Sequence, residues 1–167
     1  MAFYFKKECK ELYAPKKGPD IVEVPTMHLV AVRGSGDPND VEGAYQRAIS
    51  VLYAISYTIK MSKKGSRQID GYVDFVVPPL EGFWWQDGVE GADYTRKETF
   101  SWIAVIRLPD FVSREAMHAH ARECGYSIDL TQERRHHEIY LSDARKVAPG
   151  KLKTIIRHPI KASEEKK

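Results

Sequence analysis

The chain has 167 residues, 43% of them hydrophobic and 29% charged, with 26 basic against 23 acidic side chains and a net charge of +3. That length suits one domain with a sizeable core. The near balance of charge argues against direct nucleic-acid binding driven by electrostatics. No apolar run is long enough to span a bilayer or shaped like a signal peptide. The two cysteines, Cys9 and Cys124, have neither a disulfide-framework nor a metal-ligand spacing. A reducing, cytoplasmic setting without metal or cofactor is therefore expected.

Residues 1–19 read as an arm that Phe3, Phe5, Leu12 and Tyr13 pin to the body, broken by Pro15, Gly18 and Pro19. Asp20 to Val24 reads as a short strand stopped by Pro25, and Met27 to Arg33 as a stronger one. The GSGDPND run at 34–40 lacks the lysine and the spacing of a phosphate-binding loop. It reads better as a strand-to-helix turn with Asn39 or Asp40 as the cap. From Val41 to about Lys63, apolar residues recur at helical spacing: Val41, Ala44, Tyr45, Ala48, Leu52, Ile55, Ile59. Tyr45, Tyr53 and Tyr57 lie at or beside the edge of that stripe, where a tyrosine either completes the core or lines a cleft. Gly65 suits the helix end.

Tyr72 to Val77 alternates like a strand, and Pro78 and Pro79 end it or confine it to a sheet edge. The next residues, LEGFWW, hold a carboxylate, a glycine and three consecutive aromatics, Phe83, Trp84 and Trp85. Strand alternation sends them to opposite faces, one to a core and the other to a partner, a ligand or water. Gln86 to Lys97 reads as a loop and Thr99 to Leu108 as a long strand ended by Pro109. Asp110 to Tyr126 reads as a second helix capped by Ser113, with His118 and His120 two apart and thus unable to share a metal, at its surface or boundary. Leu130 to Arg135 is expected as loop and His136 to Leu141 as a strand. Its alternation sets His136, Glu138 and Tyr140 on one face and Ile139 and Leu141 on the better core face. A His-Glu-Tyr face is either solvated or the polar floor of a pocket. Lys151 to Ile156 reads as a short helix, and 161–167 as a frayed tail.

Several of these stretches resemble the GyrI-like small-molecule-binding family, in particular its stand-alone bacterial branch. They are KKECKELYAPKKGPDIVEVP, RGSGDPND, LYAISYTIK, DFVVPPLEGFWW, LPDFV and HHEIYLSDARKVAPGKLKTIIRHPI. The resemblance implies an α+β domain of two βαββ modules about a pseudo-two-fold, with an antiparallel sheet, helices on one face and a ligand pocket between the modules. Here it gives a first module over 20–109 and a shortened second one over 110–160, within a single domain 1–167. Only Ser113 to Arg135 separates LPDFV from HHEIYL, so the second module lacks its opening strand. A homodimer that covers the open edge follows as an expectation.

Relatives bind hydrophobic or cationic ligands as regulator domains, bind DNA gyrase, or hydrolyse cyclopropane-bearing genotoxins. Carried over by position, the pocket acid is Glu138 and its tyrosine Tyr140, with His136 beside them; Trp84 and Trp85, with Phe83, form the aromatic wall, and Tyr53 and Tyr57 are helix contributors. Glu138 would activate water and Tyr140 would donate a proton to the developing phenolate oxygen. A ligand-binding pocket with or without hydrolysis is the expectation, against a gyrase-binding module without activity. The mildly basic balance argues against a DNA-mimicking surface.

Overall fold

A computed structural model describes residues 2–14, 18, 21–65, 68–90, 92–113, 115–116, 119–120, 136–140, 147, 151 and 154–157. The fold is α+β. Two short helices, α1 (Phe5–Glu8) and α2 (Lys10–Tyr13), precede β1 (His28–Ser35), a long helix α3 (Ala44–Met61), β2 (Leu80–Trp85), β3 (Ser101–Leu108), β4 (His136–Tyr140) and β5 (Thr154–Arg157). The strands form one five-stranded sheet in the order β1-β3-β2-β4-β5, every pair antiparallel. β1, α3, β2 and β3 make a βαββ unit with β2 as the central strand of the whole sheet.

The stripe of α3 decides where the main core lies. Tyr45, Ala48, Leu52, Ile55 and Ile59 are buried at spacings of three and four, and α3 lies across β1 and β3. They meet Val30, Leu80, Trp84, Trp102, Ala104, Ile106 and Leu108, which the ladder registers set on one face of the sheet. A fully buried Leu or Ile of this kind contributes about 1.5–3 kcal/mol. The opposite face is covered by the N-terminal arm, where Phe5, Leu12 and Tyr13 pack with Ile139 of β4. Ile139 is thus on a core face, as the alternation of HHEIYL requires.

Several boundaries differ from the sequence reading. The alternating segment from Tyr72 to Val77 is not a strand: its sheet-like contact is a single parallel bridge between Phe75 and Phe3. Pro78 and Pro79 do not end a strand but lead into the central one, so their missing N–H groups fall just before the two ladders of β2. Residues 21–27 are irregular rather than a strand. In the turn before α3, Asp37 Oδ1 accepts the Asn39 N–H at 2.8 Å and Asp40 Oδ1 the Glu42 N–H at 3.1 Å. The N-cap itself is Gly43, and Val41 is 84% exposed ahead of the helix. The run expected as a helix at 151–156 instead forms β5 from Thr154 onward.

Ser113 does cap the start of the second helical stretch, its Oγ accepting the Ala116 N–H at 3.1 Å. His120 in that stretch is buried, 4% exposed, rather than at the surface or boundary. His118, Cys124, Leu141, the loop at 130–135 and the tail at 161–167 lie outside the described residues. Among the described residues no helix is long and apolar enough to cross a membrane.

Candidate functional site

The site builds outward from Gly82, midway along the central strand. In the two ladders of β2, Gly82 pairs with Ala104 on one side and with Glu138 on the other, while Trp84 pairs with Trp102 and His136. Register opposition keeps paired positions on a common face. Leu80, Gly82 and Trp84 therefore share the α3 face with positions 136, 138 and 140. Next to position 138 two neighbouring strands carry only a glycine and an alanine, which keeps bulk off the sheet there. The side chains of His136, Glu138 and Tyr140 lie outside the described part; their backbone positions are fixed by β4.

Trp84 is 8% exposed on this face. Its ring lies 4.9 Å from Tyr45 and 5.8 Å from Phe100, centroid to centroid, and Tyr45 in turn lies 5.0 Å from Trp102. Tyr53 packs half-buried against the same core, and its ring lies 6.2 Å from that of Tyr57, which is 52% exposed. Phe83 and Trp85 alternate to the other face. Trp85 there lies under the Arg33 guanidinium, 5.3 Å from its ring centroid. The three consecutive aromatics therefore do not make one wall: Trp84 stands with the Glu138 position, and Phe83 and Trp85 stand behind it.

The arm-covered face holds a polar cluster that the sequence reading did not single out as a site. Glu81 is 1% exposed and Arg107 7%. The Tyr13 hydroxyl donates to Glu81 Oε1 at 3.1 Å. Burial first, then the Glu81 carboxylate, push the Tyr13 phenol well above its ordinary range, against a hydrogen bond from Arg107 that pulls it down. Arg107 also stacks over Phe5, 4.7 Å from the ring centroid, and its Nη1 lies 3.8 Å from Cys9 Sγ. The signal for this cluster was a charged residue inside an otherwise apolar strand, Glu81 in LEGFWW and Arg107 in TFSWIAVIRL. Among the described residues no three His, Cys, Asp or Glu side chains come together as a metal site.

Beyond β2, Gln86 organises the following loop. Its side-chain nitrogen donates to the Asp93 and Arg96 carbonyls at 3.1 and 3.0 Å, and its oxygen accepts the Asp93 N–H at 2.6 Å. Bonds from Thr95 and then Arg96 hold the Asp93 carboxyl down at about 2.

No protein-family model matches the chain, and no curated protein matches it. Solved structures do. A conserved, uncharacterized protein from Listeria innocua is 38% identical with a TM-score of 0.80, the match covering 94% of this chain and 98% of the other. Two structures described as a hydrolase from Listeria innocua are each 37% identical. Their TM-scores are 0.75 and 0.79, over 92% and 93% of this chain and 97% and 98% of theirs. The chain belongs to the same family as these Listeria innocua proteins.

Proposed function

We propose that this protein is a GyrI-like small-molecule hydrolase that takes flat, hydrophobic, cyclopropane-bearing electrophiles. The observation that carries the reading is the register of β2 against β4, which pairs Gly82 with Glu138 and Trp84 with His136. A carboxylate position, a buried aromatic backing and a side-chain-free strand position thus fall on one sheet face. The description of two similar structures as hydrolases supports turnover over binding alone.

The chemistry needs few parts. Water attacks a cyclopropane carbon while the carbon–carbon bond to the ring breaks. The released electron pair passes into the conjugated carbonyl, whose oxygen ends as a phenolate and takes a proton. Glu138 accepts the proton of the attacking water, and Tyr140 supplies one to the developing phenolate. Trp84, 8% exposed and packed on Tyr45 and Phe100, backs the wall against which the planar part rests. Tyr53 closes the helix side of the same face.

The test is the simplest spirocyclopropyl cyclohexadienone, whose hydration gives para-hydroxyphenethyl alcohol, followed by chromatography. Wild type is expected to open it well above the buffer rate. Glu138→Gln is expected to lose roughly a hundredfold or more of that rate, the usual worth of a positioned base. Opening of the dienone at the buffer rate by wild type would remove turnover from the reading. A thermal-shift screen with planar cations then decides binding, since a ligand at a hundred times its dissociation constant adds about 2.7 kcal/mol.

A further inference from the structure

The arm side of the sheet carries groups for which the proposed chemistry has no use. Ion burial is costly unless partners repay it, so a cover made only to hide apolar surface has no need of a carboxylate and a guanidinium beneath it. Glu81 and Arg107 lie there, and each part of the arm reaches them. Phe5 of α1 sits under Arg107, Cys9 at the junction lies beside its Nη1, and Tyr13 of α2 hydrogen-bonds Glu81. The two arm helices have four residues each and no side-chain caps, too short to persist without these contacts.

The same arm packs on Ile139, which is 0% exposed and pairs with Glu81 across the β2–β4 ladder. Arg107 belongs to β3, Glu81 to β2 and Ile139 to β4. The arm is therefore a strap over three adjacent strands. Its apolar residues give it adhesion, and the Tyr13–Glu81 hydrogen bond gives it one position, because a buried polar pair is satisfied in only one placement. Ile139 stands between Glu138 and Tyr140. The β2–β4 ladder spans four pairs against eight for β1–β3, so the join of β4 to β2 has more to gain from a strap than the join of β1 to β3.

We propose that the N-terminal arm is a positioning clamp: Tyr13, fixed by Glu81, presses the arm onto Ile139 and so holds the backbone of Glu138 and Tyr140 against β2. The catalytic part of this inference rests on the hydrolase reading above. Tyr13 and Glu81 act through β4 and do not touch substrate.

Tyr13→Phe in the full chain keeps the ring and removes the hydroxyl. Hydrogen exchange of the β4 amides is expected to quicken about five- to tenfold, with the amides of β1 and β3 unchanged. On the dienone, kcat is expected to fall about tenfold with KM within about threefold, since misplaced groups lose rate rather than affinity. Leu12→Ala, which trims the cover and spares the hydrogen bond, is held to the same criteria and stands in if Tyr13→Phe does not fold. Unchanged β4 exchange overturns the clamp. Quickened exchange with unchanged kcat overturns its positioning role. A wild type that leaves the dienone unopened removes the hydrolase reading and the positioning role together, and the exchange data then decide the clamp alone.

Discussion

At Gly34 the strand has no room for a side chain. A Cβ built there would meet the Trp102 ring atoms Cη2 and Cζ2 at 2.4 and 2.5 Å. Gly34 and Trp102 are register partners, and the outer edge of the indole of β3 reaches the backbone of β1 there. The Trp102 ring is 1% exposed and packs edge-on against Tyr45 at the first turn of α3, so a shift would displace other core residues. Gly34→Ala is expected to cost about 1–3 kcal/mol by overpacking. In urea unfolding the midpoint should fall while the denaturant slope stays constant, as for a pure stability change. In the sequence, Gly34 reads only as the first residue of a turn-like GSGDPND run. Its role depends on a residue sixty-eight positions later, which the ladder brings opposite it.

The elements divide by whether their signal is local. α3, β1 and β3 were legible because each carries its period within its own residues, over eighteen, eight and eight positions. β2 was misframed, because the alternation of Tyr72 to Val77 imitates a strand whose backbone is in fact held by other groups. The Lys60 ammonium donates to the Phe75 carbonyl, the Tyr72 hydroxyl donates to the Lys60 carbonyl at 2.7 Å, and Phe3 takes the remaining bridge. β5 has four residues, TIIR, and a run that short fits helix and strand alike. The joint between α3 and the 72–76 segment titrates. Asp74 accepts from Lys63 at 2.9 Å and from Lys60 at 3.3 Å, and these bonds, Lys63 first, hold its carboxyl at about 2 against an ordinary 3.8. Between those values the unfolded chain binds the proton that the folded one refuses, so stability rises with pH there. The contribution is present above pH 3.8 and is lost as pH falls through about 2. Asp74→Asn is expected to flatten that acid limb of the unfolding curve, measured as the difference in urea midpoint between wild type and variant from pH 5 downward. Equal acid losses in the two proteins would detach the joint from stability.

Across the whole molecule, the candidate site was legible only where a resemblance or a strand period reached it. The resemblance pointed to Glu138 and Tyr140, and alternation alone separated Trp84 from Phe83 and Trp85. Tyr13 and Glu81, also sixty-eight residues apart, meet only because the arm folds back under the sheet. In the first unit the opening strand β1 lies outside the third strand β3, giving β1-β3-β2 from the edge inward. β4 and β5 repeat β2 and β3 about the central β2–β4 ladder, so the matching opening strand would lie outside β5. Among the described residues no strand stands there, and none lies between β3 and β4 in the chain. An edge strand is a template for pairing, and a second copy meeting β5 antiparallel about a two-fold axis would join the two sheets into one without a new element. The expected outcome is a homodimer in sedimentation velocity, at about twice the 19.1 kDa chain mass, down to micromolar concentration. Hydrogen exchange of the Thr154–Arg157 amides should then slow as concentration rises through the dimerisation range, because pairing closes that edge. A single species at monomer mass, with concentration-independent exchange at β5, would leave the edge to be covered from within the chain.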